Sequence, residues 1–292
     1  MRYLVGYSAD QGGREALALG IVLAKSSGGS LVVCTILPET WGHPSMARVD
    51  AEYAQFLNEH ASKSLEKARK SVGEQVPAEF MSRAAPSARE GLFSVAADLS
   101  VDGLVLGSAR TAPSGRFLMG SVTASVLHSA SLPVALALRG YAPDSKARLS
   151  RITCAYTGAP SAAATVRNAA ALCEKYKVPL RLVTIVVRDQ QMYPTGAGYK
   201  AENTVSNQWR AQATAAQKKL IAELPPSLGA TGAIGDGKTW KAAFASLPWK
   251  DAEIIAIGSS SLGPLLQVFL GSNAAKIINN APVPCVILPR QG

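Results

Sequence analysis

Gly107-Ser108-Ala109-Arg110-Thr111-Ala112-Pro113-Ser114-Gly115-Arg116-Phe117-Leu118-Met119-Gly120-Ser121 is the stretch on which the fold turns, and the chain carries its plan twice. The second version is Gly258-Ser259-Ser260-Ser261-Leu262-Gly263-Pro264-Leu265-Leu266-Gln267-Val268-Phe269-Leu270-Gly271-Ser272. In each, a buried-type strand ends in Gly-Ser, a glycine-containing loop follows, and a second Gly-Ser opens a helical pattern. Glycine lets a backbone come close to a phosphate, and free amides with a serine hydroxyl at a helix start attract an anion. A Gly-Ser pair is also an ordinary N-cap, and Gly107 and Gly258 also suit plain strand ends, so the loops by themselves do not decide between the two.

Working outward from the first loop, strand-like runs at 3–7, 31–37, 79–82, 103–106 and 134–138 alternate with helical patterns at 13–26, 49–72, 87–99 and 121–129. The order restarts with strands at 152–156, 180–187, 230–234, 254–257 and 285–288, and helices at 161–175, 201–224, 239–247 and 272–279. Alternation of this kind implies parallel pairing in an α/β sheet. Direct comparison shows duplication. Thr35-Ile36-Leu37 matches Thr184-Ile185-Val186 at an offset of 149, and three landmarks share an offset of 151: Gly107-Ser108 with Gly258-Ser259, Gly120-Ser121 with Gly271-Ser272, and Leu132-Pro133-Val134 with Val283-Pro284-Cys285. The chain therefore reads as two homologous domains, 1–140 and 150–292, joined by a polar, turn-rich linker at 141–149.

The loop spacing resembles the G-x2-G-x9-G-[S/T] motif of the universal stress protein family, and the element order resembles it too, twice over, across essentially the whole chain. The resemblance implies, for each domain, a five-stranded parallel sheet in order 3-2-1-4-5, the adenine-nucleotide hydrolase-like arrangement. The ligand crevice would lie between the ends of the first and fourth strands, where the strand order reverses. It implies an adenine nucleotide, ATP with Mg²⁺, as ligand. The positions matching the family's site are Ser8, Ile36, Gly107, Arg110, Gly120, Ser121 and Val122 in the first half, and Thr157, Ile185, Gly258, Ser261, Gly271 and Ser272 in the second.

Departures from the motif shape the expectation. Its second glycine is Arg110 in one half and Ser261 in the other, and the carboxylate that family members place at the end of the first strand is replaced by Ser8 and Thr157. A hydroxyl bonds a ribose less strongly than a carboxylate does. Arg110 and Arg116 are expected to compensate at the phosphates, which makes the first half the tighter site; the second loop offers serines and no cation.

Composition removes other classes. With 292 residues, 48% hydrophobic and 17% charged, the chain can bury two full cores. Its longest nearly apolar stretch, 16–24, is far short of the roughly 20 residues that cross a bilayer, and the start has no secretory pattern, so a cytoplasmic, non-membrane protein is expected. Cys34, Cys154, Cys173 and Cys285 lie in apolar runs without metal-ligand spacing and read as reduced core residues. Residues 1–145 carry 13 Lys/Arg and 13 Asp/Glu, and residues 146–292 carry 17 and 7, so the second half holds the whole net charge of +10. Its cations are scattered without aromatic partners and read as a solvated surface in preference to a nucleic-acid site.

No nucleophile elbow, HExxH or P-loop is present, and His43, His60 and His128 have no acidic partners at a telling spacing, so no enzyme is expected. Three readings stand in order: a tandem nucleotide-binding stress-response regulator acting through conformation or partner contacts, a ligand-free interaction scaffold, and a slow ATP hydrolase. The apolar strands Val134-Ala135-Leu136-Ala137-Leu138 and Cys285-Val286-Ile287-Leu288 are expected to meet in an internal pseudo-dimer, with a homodimer as the alternative assembly.

Overall fold

The computed structural model describes residues 1–39, 47–158, 162–187, 199–259 and 271–289, with 47–51 and 199–206 described by backbone only. The chain divides into two compact units, Met1–Arg148 and Leu149–Gly292.

The first unit runs β1 (Arg2–Gly6), α1 (Gln11–Ser27), β2 (Ser30–Pro38), α2 (Ala47–Val72), β3 (Ala78–Ala85), α3 (Ala88–Asp98), β4 (Gly103–Leu106), α4 (Ser121–Leu127) and β5 (Val134–Leu136). Its strands pair in parallel in the order β3-β2-β1-β4-β5. The second unit repeats this with β6 (Arg151–Ala155), α5 (Ala162–Tyr176), β7 (Leu180–Val187), α6 (Tyr199–Ala222), β8 (Thr231–Gly237), α7 (Trp240–Ala245), β9 (Glu253–Gly258), α8 (Ser272–Asn280) and β10 (Cys285–Leu288). Here the order is β8-β7-β6-β9-β10, and a single 3₁₀ turn, Pro226–Leu228, is added before β8.

Parallel strands covered on both faces need continuous apolar runs, and β4 and β10 are buried at every position. Leu4, Val5, Val32 and Val33 at the centre of the first sheet are 0% exposed. Each such side chain contributes about 1.5–3 kcal/mol by leaving water. The outer strands β3 and β8 extend beyond the apolar patches at 79–82 and 230–234. β3 pairs with β2 from Leu31↔Ala78 to Pro38↔Ala85, while Glu79, Ser82 and Ala84 face solvent, which dilutes its apolar pattern.

Side-chain caps place the helices at the carboxyl edge. The Asp10 carboxylate accepts from the Gly13 amide to start α1, and α1 ends on Gly28 in the left-handed conformation, φ 61°. Ser87 opens α3 with a reciprocal box: its hydroxyl accepts from the Glu90 amide and donates to Glu90 Oε1. Cys34, Cys154, Cys173 and Cys285 are all buried free thiols. Among the described residues no helix is long and apolar enough to cross a membrane.

Candidate functional site

In the first unit the strand order reverses between β1 and β4, which run in register from Tyr3↔Gly103 to Val5↔Val105. Just past their carboxyl ends lies a cavity of about 290 Å³. It brings together Ser8, Ile36, Gly107, Arg110, Gly120, Ser121 and Val122, residues drawn from β2, the two β-α connections and the start of α4. Arg116 does not line it. The Arg116 carbonyl accepts from the Arg139 amide just after β5, and Gly115 N–H donates to the Arg139 carbonyl, so this part of the loop is held against the end of β5.

The glycines of the loop's two Gly-Ser pairs have different jobs. A Cβ on Gly107 would lie 2.0 Å from the Gly12 carbonyl oxygen, so this glycine lets β4 pack against the first turn of α1 while it also borders the cavity. A Cβ on Gly120 would meet nothing nearer than Ala109 Cβ at 3.7 Å. Gly120 is the position that borders open space. Ser108 likewise works within the loop: its buried hydroxyl accepts from the Leu118 amide at 2.9 Å, pinning the two ends of the segment together.

A carboxylate does reach the cavity, from a position the strand pattern does not mark. Asp10 lines it two residues beyond Ser8, and Ser8 Oγ donates to Asp10 Oδ1 at 2.7 Å, the same oxygen that caps α1. Partial burial pushes the Asp10 carboxyl up. The Gly13 amide, the Ser8 hydroxyl and the charges of Arg14 and Arg139 outweigh that, and it titrates below the ordinary carboxylate value. The signal in the sequence was Asp10 before Gln11-Gly12-Gly13, an N-cap residue at a helix start. Cys34 also faces the cavity, and burial pushes its thiol up to about 11, so it stays protonated near neutral pH.

The second unit divides the corresponding space in two. Thr157, Gly258, Gly271 and Ser272 border a cavity of about 370 Å³, with Ser259 beside them. Ile185 lies instead in a neighbouring cavity of about 580 Å³ with Trp209, Trp240 and Lys276; Thr157 borders both. Ser261 lies outside the described residues, as does the rest of its loop. A cation does stand nearby, although the loop serines suggested none: Lys276, on α8, sits 5.7 Å from the centroid of the Trp240 ring. Its mark in the sequence is its place four residues after Ser272, one helical turn on.

The family model for universal stress proteins matches residues 1–137 and again 149–289. The chain belongs to that family. Full-length universal stress proteins of Mycobacterium tuberculosis (strain H37Rv) and Mycobacterium bovis are each 36% identical to it over 292 residues, covering 99% of this chain and 100% of theirs. Among solved structures, a universal stress protein from Archaeoglobus fulgidus matches with a TM-score of 0.59 at 18% identity, covering 99% of this chain and 98% of that one. A functionally unknown protein from Pseudomonas aeruginosa PAO1 matches with a TM-score of 0.54 at 13% identity, covering 99% and 92%. At these identities the structural matches speak to the fold. This universal stress protein is thus a tandem one, with a cavity at the carboxyl edge of each sheet.

Within that fold, Asp10, Arg110 and the amides beside Gly120 supply the first site with a hydrogen-bond acceptor, a cation and neutral donors around one space. The second site offers hydroxyls at Thr157, Ser259 and Ser272, and an aromatic pair with a lysine next door.

Proposed function

We propose that this tandem universal stress protein binds an adenine nucleotide, ATP with its Mg²⁺, at the carboxyl edge of the sheets, more tightly in the first unit, and acts through conformation or partner contacts. The observation that carries this reading is the first cavity: one space bordered by both glycines of the Gly-Ser loop, by Arg110 and by Asp10. Arg110 suits phosphate oxygens, as a guanidinium does wherever a planar fork meets an oxyanion. Asp10 Oδ1 is occupied by Ser8 and Gly13, and its second oxygen suits a ribose hydroxyl. Ile36 offers an apolar surface to the base. At about 290 Å³ the cavity is at the lower end of the range for small-molecule sites, so part of the nucleotide would remain in solvent. Mg²⁺ would arrive with the phosphates, its usual mode of binding.

The test uses Gly120→Leu and Gly271→Leu in calorimetric titration with ATP. A Cβ at Gly120 clears its neighbours, so leucine there fills the cavity without disturbing the fold. Gly120→Leu should abolish the tighter binding event and Gly271→Leu should leave it intact. Unchanged binding in Gly120→Leu would refute the assignment. Mass spectrometry of molecules released by denaturing the fresh protein separates a nucleotide binder from a ligand-free scaffold, and phosphate release over time separates both from a hydrolase.

A further inference from the structure

A second cavity in the first unit, about 480 Å³, lies between the outer face of α1 and the segment 140–145 that follows β5. Leu17, Ala18, Ile21 and Val22 give it an apolar wall. Lys25 closes one end, its ammonium held by Gln75 Oε1 at 2.6 Å and by the Ser145 carbonyl. Three turns back along α1, Arg14 and Glu15 stand side by side at the other end.

Glu15 is the unusual member. It is 3% exposed; Oε1 accepts from the Gly140 amide at 2.6 Å, and Oε2 is buried without a partner. Tyr141 also lines the cavity, and its hydroxyl is likewise buried without a partner. Burial pushes the Tyr141 phenol up to about 12, so it is a neutral donor near neutral pH. A buried carboxylate oxygen that lacks a donor is costly, and a buried phenol normally finds a partner. Glu15 has no acidic counterpart at the matching position of the second unit: at the 149-residue offset that relates Tyr3↔Leu31 to Ile152↔Leu180, it corresponds to Ala164.

The ligand's chemistry follows from the charges. Asp144, which also lines the cavity, accepts from the Lys146 amide at 2.7 Å, and Arg14 spends one of its five N–H groups on the Ala9 carbonyl at 3.3 Å. A bare ammonium would suit Glu15 and Asp144 and be repelled by Arg14 and Lys25; a bare carboxylate would suit Arg14 and be repelled by Glu15 and Asp144. A zwitterion with an apolar body satisfies both and covers the wall. We infer that this cavity binds an α-amino acid with a branched aliphatic side chain, its ammonium donating to Glu15 Oε2, its carboxylate accepting from Arg14, and its side chain resting on Ala18, Ile21 and Val22. The volume is within the range of small-molecule sites. The inference does not depend on the nucleotide cavity, which shares no lining residue with this one.

Calorimetric titration of the full chain with L-leucine, N-acetyl-L-leucine and 3-methylbutylamine tests it. Leucine should bind saturably, and loss of the free ammonium or of the carboxylate should weaken binding by about tenfold or more, the usual worth of a charged hydrogen bond. Glu15→Gln keeps an acceptor for the Gly140 amide and should weaken leucine to a similar degree. Ala18→Phe, which fills the cavity and leaves the Glu15 carboxylate in place, should abolish binding while the thermal melt stays cooperative. Leucine binding unchanged in Glu15→Gln, or 3-methylbutylamine binding as tightly as leucine, would overturn the inference. So would the absence of saturable heat at millimolar concentration, which would mean that water alone satisfies Glu15.

Discussion

At the amino-terminal edge of their sheets the two units hold related charges in opposite surroundings. In the first, Arg2 meets Glu79 at 2.6 Å with side chains 36% and 52% exposed, and the Arg2 amide donates to Asp102 Oδ2. In the second, the corresponding Arg151 and Glu253 are drawn inside with a further cation. Glu253 is fully buried and accepts from Arg151 Nη2 at 2.6 Å, from Arg181 Nη2 at 2.8 Å and from the Thr153 hydroxyl. The Arg181 guanidinium lies 4.7 Å from the centroid of the Trp249 ring. Burial pulls the Arg181 pKa below its ordinary value, Glu253 offsets only part of that, and Arg151 adds to the lowering. The lesson is that equal strand frames tolerate unequal chemistry at their ends. Part of the basic excess of the second half is therefore a feature of its core and not of its surface.

The largest expected effect comes from breaking that core network. Glu253→Ala would leave two guanidiniums around an uncompensated site and should cost about 3–5 kcal/mol, against under about 1 kcal/mol for Glu79→Ala at the exposed pair. Hydrogen exchange resolved along the chain should show the loss confined to the second unit. Equal losses for the two variants would mean that the burial difference carries no energy.

Next is the contrast between the two loop arginines. Arg110→Ala should weaken ATP binding in the first unit by about tenfold or more, the worth of a charged bond of about 1.5–3 kcal/mol, while Arg116→Ala should leave it unchanged. A larger effect at Arg116 in calorimetry would place the phosphates toward the end of β5 and break the assignment.

The smallest effect concerns Asp10, which has no counterpart among the described residues of the second unit. Asp10→Ala removes the cap of α1 and should destabilise the first unit by about 1 kcal/mol. Because the folded carboxyl titrates below its ordinary value of 3.8, its stabilisation is present above that pH and is lost as pH falls through the lower folded value. Wild type and Asp10→Ala should therefore differ in denaturant midpoint at neutral pH and converge in acid. A constant difference down to low pH would show that the carboxylate charge is not what caps the helix.

Much of this is legible in the sequence, and what is not legible there has one common cause. The tandem α/β order follows from periodicity and repeat spacing, whereas the positions Ser8, Ile36, Arg110 and Gly120 are what the resemblance to the universal stress protein motif implies, and the structure gathers the four at one cavity. Arg116 was misplaced because its loop is aimed by backbone bonds to Arg139, a partner beyond β5 that no local pattern names. Gly107 borders the cavity and also makes room for the Gly12 carbonyl, a second role that a missing side chain does not reveal in the sequence. Asp10 and Lys276 were overlooked because capping and helix-face residues reach a site only when the helix is docked.

By itself, the sequence determined the number of domains, the alternation of strands and helices, and the ends of the strands where a ligand could sit. Those properties are sums over neighbouring residues: apolar periodicity selects strand or helix, and glycine, proline and capping residues mark where each stops. Only the tertiary structure decided which charges are in water and which are not. Glu15, Glu79 and Glu253 are the same side chain in one dimension; packing leaves one half-exposed, seals one with an unpaired oxygen and surrounds the third with two arginines. The physical reason is that a charge's energy is set by solvent and partners, and the partner of Glu15 stands 125 residues away in the chain while the arginine partners of Glu253 stand 72 and 102 away.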